Sequence, residues 1–220
     1  SLGLSFDADI SSDDPAVVAR GAKLLDDALS VARDLGSPYL VGVIAAALGK
    51  YDRPPTARGW ENCRTSLRNL AERAAASDMT LGIEVVNRYD SNLINTAEQA
   101  LQMIDEIGAP NVVVHLDTYQ MNIEDENYRA PVLAAGDRLG YVHISESHRG
   151  YLGTGTVDFD TFFATLRELG YAGPVVFESF SSKVVSPALS NTLGIWREHW
   201  QDGMDLAKHA HAFMAERLTD

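Results

Sequence analysis

Short apolar segments alternate with longer amphipathic segments along the whole chain. The apolar segments predict β-strands at residues 2–6, 39–44, 81–86, 112–116, 141–145 and 174–177. The amphipathic segments predict helices at residues 15–36, 59–76, 96–107, 128–139, 159–169 and 200–218. Pairs such as Leu35-Gly36 and Leu169-Gly170 end several of these helices, because glycine readily adopts the left-handed conformation that terminates a helix.

Strands and helices in regular alternation predict an α/β fold with a parallel sheet covered by helices. No linker-like segment interrupts the alternation, so residues 1–220 are expected to form a single domain. The pattern is compatible with an open doubly wound sheet and with a (β/α)8 TIM barrel. Residues 7–11, after the first strand, contain no glycine, which argues against a nucleotide-binding open sheet. A barrel needs eight strand–helix units, and six are visible.

Side chains that can bind a metal stand at the carboxyl ends of the last four predicted strands. They are Glu84, Asp117, His143 and Glu178. Because the carboxyl ends of parallel strands meet at one end of a barrel, these side chains are expected to converge. Three carboxylates and one imidazole suit Mn²⁺, Mg²⁺ or Co²⁺ better than Zn²⁺. The pattern therefore predicts one metal centre and favours the barrel.

Two further side chains lie close to this predicted centre. His115 has the same strand parity as Asp117 and is expected to pack inside the barrel, with a ligand role as the alternative. Glu146 follows the fifth predicted strand, where it is expected either to support the site from behind or to cap the loop.

The charge balance narrows the classes of partner. The chain has 18 basic and 31 acidic residues and a formal net charge of −13, which argues against nucleic-acid and membrane partners. Cys63 is the only cysteine, so neither a disulfide framework nor a cysteine-based zinc site is expected, and a cytoplasmic location fits. No apolar run is long enough to span a bilayer, and no export signal is expected.

Four motifs around the candidate ligands resemble those of the ketose 3-epimerases. They read GIEVVNRY at 82–89, HLDTYQMN at 115–122, VHISESHR at 142–149 and VFESF at 176–180. The loop GTGTVDF at 153–159 agrees with the same family. This family includes the D-tagatose, D-psicose (allulose) and L-ribulose 3-epimerases, within the xylose isomerase-like TIM barrels. The resemblance implies a (β/α)8 barrel and an isomerase that acts on carbohydrates.

The resemblance also implies roles for individual residues. One divalent metal would be bound by Glu84, Asp117, His143 and Glu178, and the two glutamates would double as catalytic acid and base. Arg149 would contact the substrate near the metal. Asp90 and Gln120 would bind substrate as well, although the family usually has Glu and His there, which leaves the preferred ketose open.

The implied reaction is the epimerisation of a free ketose at C3 through a cis-enediolate. A divalent cation, with Mn²⁺ favoured over Mg²⁺ and Co²⁺, would polarise the carbonyl, and the two glutamates would transfer the proton. An aldose–ketose or inosose isomerase on the same scaffold remains an alternative, as does an inactive, truncated metal-binding barrel. The DNA-repair endonuclease branch of the superfamily is disfavoured by the negative charge.

Aligned with the family, residues 2–6 correspond to the third barrel strand. The first two strand–helix units are therefore expected to be missing from this sequence. The resemblance further implies a homo-oligomer, either a dimer or a tetramer, that takes a small ketose as its partner.

Overall fold

Six parallel β-strands form one sheet in the computed structural model, which describes residues 1–219. The strands are β1 (Leu2–Leu4), β2 (Tyr39–Ala47), β3 (Thr80–Glu84), β4 (Val112–Asp117), β5 (Leu139–Ile144) and β6 (Val175–Phe177). Each strand pairs with the next one in chain order. A doubly wound sheet reverses its strand order at a switch point, whereas this uninterrupted order is that of a barrel wall.

Helices lie between successive strands, where the longer ones cover the outer face of the sheet, and two more helices follow the last strand. They are α1 (Pro15–Asp34), α2 (Ala57–Ala75), α3 (Ala97–Ile107), α4 (Thr118–Glu124), α5 (Ala130–Ala135), α6 (Phe159–Leu169), α7 (Pro187–Leu193) and α8 (Gly203–Thr219). Short 3₁₀ turns occur at Phe6–Ala8 and Gly136–Arg138. Within residues 1–219, none of the helices combines the length and the apolarity that crossing a bilayer requires.

The ends of α3 illustrate how local sequence sets the helix boundaries. Thr96 accepts a hydrogen bond from the backbone N–H of Gln99, and the Gln99 side chain accepts one from the backbone N–H of Thr96. This capping box satisfies donors that the first turn leaves unpaired. Gly108 then ends the helix with φ +72°, a conformation that glycine adopts without steric cost.

The hydrophobic core lies between the sheet and its helices. Strand residues Ile83, Val114 and Val142 and the helix residues Leu67 and Phe162 are each fully buried in one continuous cluster. Alternate strand residues face the other way, toward the barrel axis. The rigid wall that this core supports holds the inward-facing side chains in place.

All six predicted strands are present, but the predicted helix at 128–139 is wrong in its extent. The helical part is α5, a 3₁₀ turn follows it, and Leu139 already belongs to β5. Gly136 has φ +51° and ψ −135°, which no helix can continue through. Apolar residues persist across this break, so the hydrophobic pattern did not reveal it.

Two short helices, α4 and α7, were not predicted. The Asp117 carboxylate, at the end of β4, accepts a hydrogen bond from the backbone N–H of Tyr119 at 2.8 Å and so starts α4 directly. Ser186 caps α7, whose first residue is Pro187. The last helix, predicted from residue 200, begins at Gly203. Helices of two turns give too few apolar repeats for a periodic signal.

The strands at the two ends of the sheet, β1 and β6, each pair on one side only among residues 1–219. The backbone groups on the outer side of each strand therefore have no strand partner in this part of the chain. The sheet is a curved wall that is open between β6 and β1.

We expect Thr96→Ala to reduce the free energy of unfolding by about 1 kcal/mol, because it removes the side-chain acceptor of the α3 capping box. Urea denaturation followed by circular dichroism measures the change. Thr65→Ala is the matched control, since Thr65 is exposed in the interior of α2 and caps no helix. Equal stability of the two variants would contradict the capping role.

Candidate active site at the carboxyl ends of the strands

Four ligand-type side chains converge at the carboxyl ends of β3 to β6. Glu84 and Asp117 are the last residues of β3 and β4, His143 lies in β5, and Glu178 directly follows β6. One potential ligand atom from each of the four lies within 4.8 Å of the others. Strand register explains the convergence, because Asp117 lies directly opposite His143 and the carboxyl ends share one edge.

His143 lies at the centre of this group. Its Nδ1 is 3.7 Å from Glu84 Oε1 and 3.5 Å from Glu178 Oε1. This nitrogen is buried and has no hydrogen-bond partner. Burial alone would lower the pKa of His143, but the negative charges of Glu84 and Glu178 beside it raise the pKa. An unpartnered imidazole nitrogen among carboxylates matches the donor set of a divalent cation site.

Negative charge is concentrated on these carboxylates away from solvent. Asp117 is fully buried, Glu84 is 6% exposed and the Glu178 side chain is 21% exposed. Burial raises the pKa of Glu178 to about 7, against the lowering effect of Arg149. Burying several carboxylates together is costly unless a cation compensates them.

Arg149 supplies a buried positive charge to the same group. Its Nη1 donates to Asp117 Oδ2 at 2.8 Å, to Glu178 Oε2 at 2.6 Å and to Ser145 Oγ at 2.6 Å. The guanidinium carbon also lies 3.9 Å from the centre of the Tyr119 ring. Ionic, hydrogen-bonding and cation–π contacts therefore fix this side chain in one position.

Glu146 organises the loop that carries Arg149. Its fully buried carboxylate accepts hydrogen bonds from the backbone N–H groups of Ser147 at 2.8 Å, Gly153 at 2.9 Å and Val157 at 3.3 Å. A Cβ at Gly155 would come within 2.3 Å of Glu146 Oε1, so the loop also needs glycine there. Of the two expectations for Glu146, the loop cap describes its contacts.

Asp90 and Gln120 form one hydrogen-bonded network with Asn87. Gln120 Nε2 donates to Asp90 Oδ2 at 3.1 Å, and Asn87 Nδ2 donates to the same oxygen at 3.0 Å. Gln120 Oε1 accepts from the backbone N–H of Asn87 at 2.8 Å. Burial raises the pKa of Asp90, although Gln120, Arg149 and Asn87 counteract it. The Asp90 carboxylate and the Gln120 amide are thus hydrogen-bonded to each other at the cleft wall.

These side chains line a cleft of about 310 Å³. Its wall includes Glu84, Asp90, Gln120, Arg149, Glu178 and Phe180. Two α7 residues, Leu189 and Leu193, and the edge strand β1 complete the lining. A larger cleft of about 480 Å³, between the loops that follow β1 and β2, contains none of the four ligand-type side chains. Volume alone would therefore select the wrong cleft.

The structure brings together all the site residues that the sequence singled out, and it adds several. Ser145, Tyr119, Phe180, Leu189 and Leu193 contact Arg149 or line the cleft. Ser145 could have been found, because it directly follows β5, two residues after His143. The other four lie on short helices or loops, whose approach to the cleft is set by tertiary packing.

Comparison with known proteins places this site in a family. The family model for xylose isomerase-like TIM barrels matches residues 1–215. The ketose 3-epimerase of Arthrobacter globiformis is 52% identical over 219 residues, which cover 100% of this chain and 76% of that protein. The L-ribulose 3-epimerase of Methylomonas sp. (strain DH-1) is 52% identical over 217 residues, or 99% of this chain and 76% of the relative.

A solved structure agrees in detail. The crystal structure of D-allulose 3-epimerase from Methylomonas sp. in complex with D-allulose superimposes with a TM-score of 0.96 at 52% identity, covering 98% of this chain and 75% of the other. Both the predicted fold and the predicted family resemblance are thereby confirmed. The chain belongs to the xylose isomerase-like TIM-barrel family and, within that family, to its isomerase-class sugar epimerases.

Proposed function

We propose that this protein epimerises free ketoses at C3, with a divalent cation at the strand-end site. The observation that carries the proposal is the approach of two glutamates, Glu84 and Glu178, to one imidazole nitrogen, at 3.7 and 3.5 Å. They come from β3 and from the end of β6, three strands apart on the barrel wall. Their carboxylates can therefore reach a bound sugar from two sides.

The proposed metal ligands are Glu84, Asp117, His143 and Glu178. The unpartnered Nδ1 of His143 and the three surrounding carboxylates fit a divalent cation, and the oxygen-rich set favours Mn²⁺, with Mg²⁺ and Co²⁺ next. When bound, such an ion acts as a Lewis acid that polarises the ketose carbonyl and makes the C3 proton more acidic.

The proposed chemical steps belong to the two glutamates. One carboxylate removes the proton from C3 on one face of the sugar, which gives a cis-enediolate, and the other, protonated, returns a proton on the opposite face. This exchange inverts C3 without any change at C1. Arg149 Nη1, held by Asp117 and Glu178, stabilises negative charge that develops on the substrate oxygens.

An unphosphorylated sugar fits the charge of the cleft. Among the described side chains that line it, Arg149 is the single cation, and its Nη1 already bonds two carboxylates. Among these lining residues, no second cationic side chain is available to bind a phosphate. The relatives, which include an L-ribulose 3-epimerase and a D-allulose 3-epimerase in complex with D-allulose, support a free ketose of five or six carbons.

We further propose that the working barrel contains two more strand–helix units between β6 and β1. The family fold has eight strands, and β1 and β6 each pair on one side only in the described part of the chain. The cleft also opens toward β1, where such units would close it. A metal-binding barrel that lacks them and shows no turnover remains the alternative.

The protein is proposed to act as a cytoplasmic homo-oligomer. Val184 and Trp196 are 54% and 70% exposed on the segment that follows β6. Apolar side chains with this exposure suit the contact with a second copy, which would cover them. The buried, free Cys63 thiol fits a reducing compartment.

We expect Glu178→Gln to lower kcat on D-allulose, D-fructose or L-ribulose by about 100-fold or more, because it removes one of the two proton-transfer groups. Chromatography separates the C3 epimer from any aldose and so distinguishes epimerase from isomerase activity. Glu168→Gln, which alters only an exposed ion pair with Arg129, is the matched control. Normal turnover by Glu178→Gln would remove this residue from the mechanism, and an aldose product would favour the isomerase alternative.

We expect Asp90→Asn to raise KM for the ketose about 10-fold while kcat changes little, because a charged acceptor at the cleft wall contributes about 1.5–3 kcal/mol to a hydrogen bond. Steady-state kinetics on several ketoses measures the effect. Asp52→Asn, an exposed acid in the larger cleft, is the control. A fall in kcat at constant KM would show instead that Asp90 acts in the chemical step.

We expect Glu146→Gln to lower the free energy of unfolding by about 1–3 kcal/mol. The variant places an amide NH₂ group, which is a donor, against backbone N–H groups that now donate to a carboxylate oxygen. The loosened loop should also reduce kcat/KM, because it carries Arg149. Urea denaturation and kinetics check both effects, with the exposed Glu126→Gln as control. Unchanged stability would show that the loop does not depend on this carboxylate.

A further inference from the structure

A second imidazole lies beneath the four-residue site. His115 is fully buried in β4, and neither of its ring nitrogens has a hydrogen-bond partner. Its Nδ1 is 3.8 Å from Glu84 Oε2, and its ring centre is 4.3 Å from that of His143 at an angle of 87°. Buried polar groups are nearly always hydrogen-bonded, so two unpartnered nitrogens on one residue need an explanation.

The strand register places His115 one row deeper than the proposed metal centre. Glu84 lies opposite His115, whereas Asp117 lies opposite His143 in the row above. The two Glu84 oxygens face different imidazoles, Oε1 toward His143 and Oε2 toward His115. Potential ligand atoms of Glu84, His115 and His143 all lie within 4.8 Å of one another.

We propose that Glu84, His115 and His143 form a second cation position, one row deeper than the first. The two positions share Glu84 and His143, so only one of them can be filled at a time. The upper position adds the oxygens of Asp117 and Glu178, and the lower position adds the nitrogen of His115. The two therefore differ in the kind of ion that they prefer.

The lower position suits zinc or another nitrogen-preferring ion. Two imidazoles and one carboxylate are a common zinc ligand set, whereas an oxygen-rich set suits Mn²⁺ and Mg²⁺. A tetrahedral ion with bonds of about 2.0–2.2 Å holds its ligand atoms about 3.3–3.5 Å apart. Each imidazole has its own Glu84 oxygen, at 3.8 Å for His115 and 3.7 Å for His143, and each separation exceeds the tetrahedral value by a few tenths of an ångström.

Occupation of the lower position would compete with the upper one. A nitrogen-preferring ion held by His115 takes Glu84 and His143 away from the upper ion. In the proposed epimerase, Zn²⁺ would thus be an inhibitor that competes with Mn²⁺. The inference uses two ligands of the proposed metal centre but does not require that the protein epimerise a sugar, because it concerns ion binding alone.

Variants at His115 and at Asp117 separate the positions, since each residue is a ligand of only one of them. We expect His115→Gln and His115→Phe to weaken Zn²⁺ binding by at least about 10-fold and to leave Mn²⁺ binding within about twofold. We expect Asp117→Asn to weaken Mn²⁺ binding by at least about 10-fold and to spare Zn²⁺. Loss of even an outer-shell partner costs about 10- to 100-fold in metal affinity.

Isothermal titration calorimetry of the metal-stripped full chain with ZnCl₂ and with MnCl₂ measures the two affinities. Electron paramagnetic resonance of free Mn²⁺ then follows the displacement of bound Mn²⁺ by Zn²⁺. Circular dichroism confirms that each variant is folded, and the Phe variant keeps the ring that packs against Tyr141. Equal losses of Zn²⁺ and Mn²⁺ affinity in both His115 variants would overturn the proposal, since His115 would then merely position Glu84. Unchanged Zn²⁺ affinity would overturn it as well.

These outcomes are independent of the proposed enzymatic function. A complete eight-stranded barrel that binds both ions but converts no ketose would contradict the epimerase function and leave the two-position proposal standing. An active epimerase whose His115 variants bind Zn²⁺ normally would support the epimerase function and contradict the two-position proposal.

Discussion

The site depends on holding three carboxylates close together, away from water, with one fixed positive charge among them. Asp117 is fully buried, and Glu84 and Glu178 face the same imidazole nitrogen. Like charges in such a place are tolerated only when a cation and hydrogen bonds compensate them. Arg149 supplies that compensation to Asp117 and Glu178 through a single nitrogen.

The position of Arg149 is in turn determined by a chain of contacts that begins outside the cleft. Glu146 binds three backbone N–H groups of the loop, and its own carbonyl accepts a hydrogen bond from the backbone N–H of Arg149 at 2.8 Å. Arg149 has φ +62°, a conformation that side-chain-bearing residues rarely adopt. Strain of this kind persists only where surrounding contacts enforce it, which is consistent with a residue held for function.

Strand register divides the barrel interior into rows with different chemistry. The upper row joins Asp117 to His143, and the row below joins Glu84 to His115. A one-residue change in register would turn these side chains toward the helices. At the cleft wall, Asp90 and Gln120 are joined by a hydrogen bond between side chains that lie 30 residues apart in the sequence.

The sequence by itself determined the alternation of strands and helices, the six strands and the four ligand-type side chains at the strand ends. Those features follow from local periodicity and from the rule that parallel strands end at one edge. The break at Gly136 and the short helices α4 and α7 were not predicted, because they depend on single capping residues and on short segments rather than on a repeating pattern. The sequence also suggested that His115 packs inside, but it could not show that its nitrogens lack partners.

Only the tertiary structure decided which groups meet across the cleft. The contacts of Arg149 with Asp117 and Glu178, the loop bonds of Glu146 and the approach of α7 all join residues distant along the chain. Such contacts depend on the path of loops and on strand register, which no local pattern encodes. The types of chemical group at the site could therefore be predicted from the sequence. The distances between these groups are set by the tertiary arrangement of the sheet and of the loops at its edge.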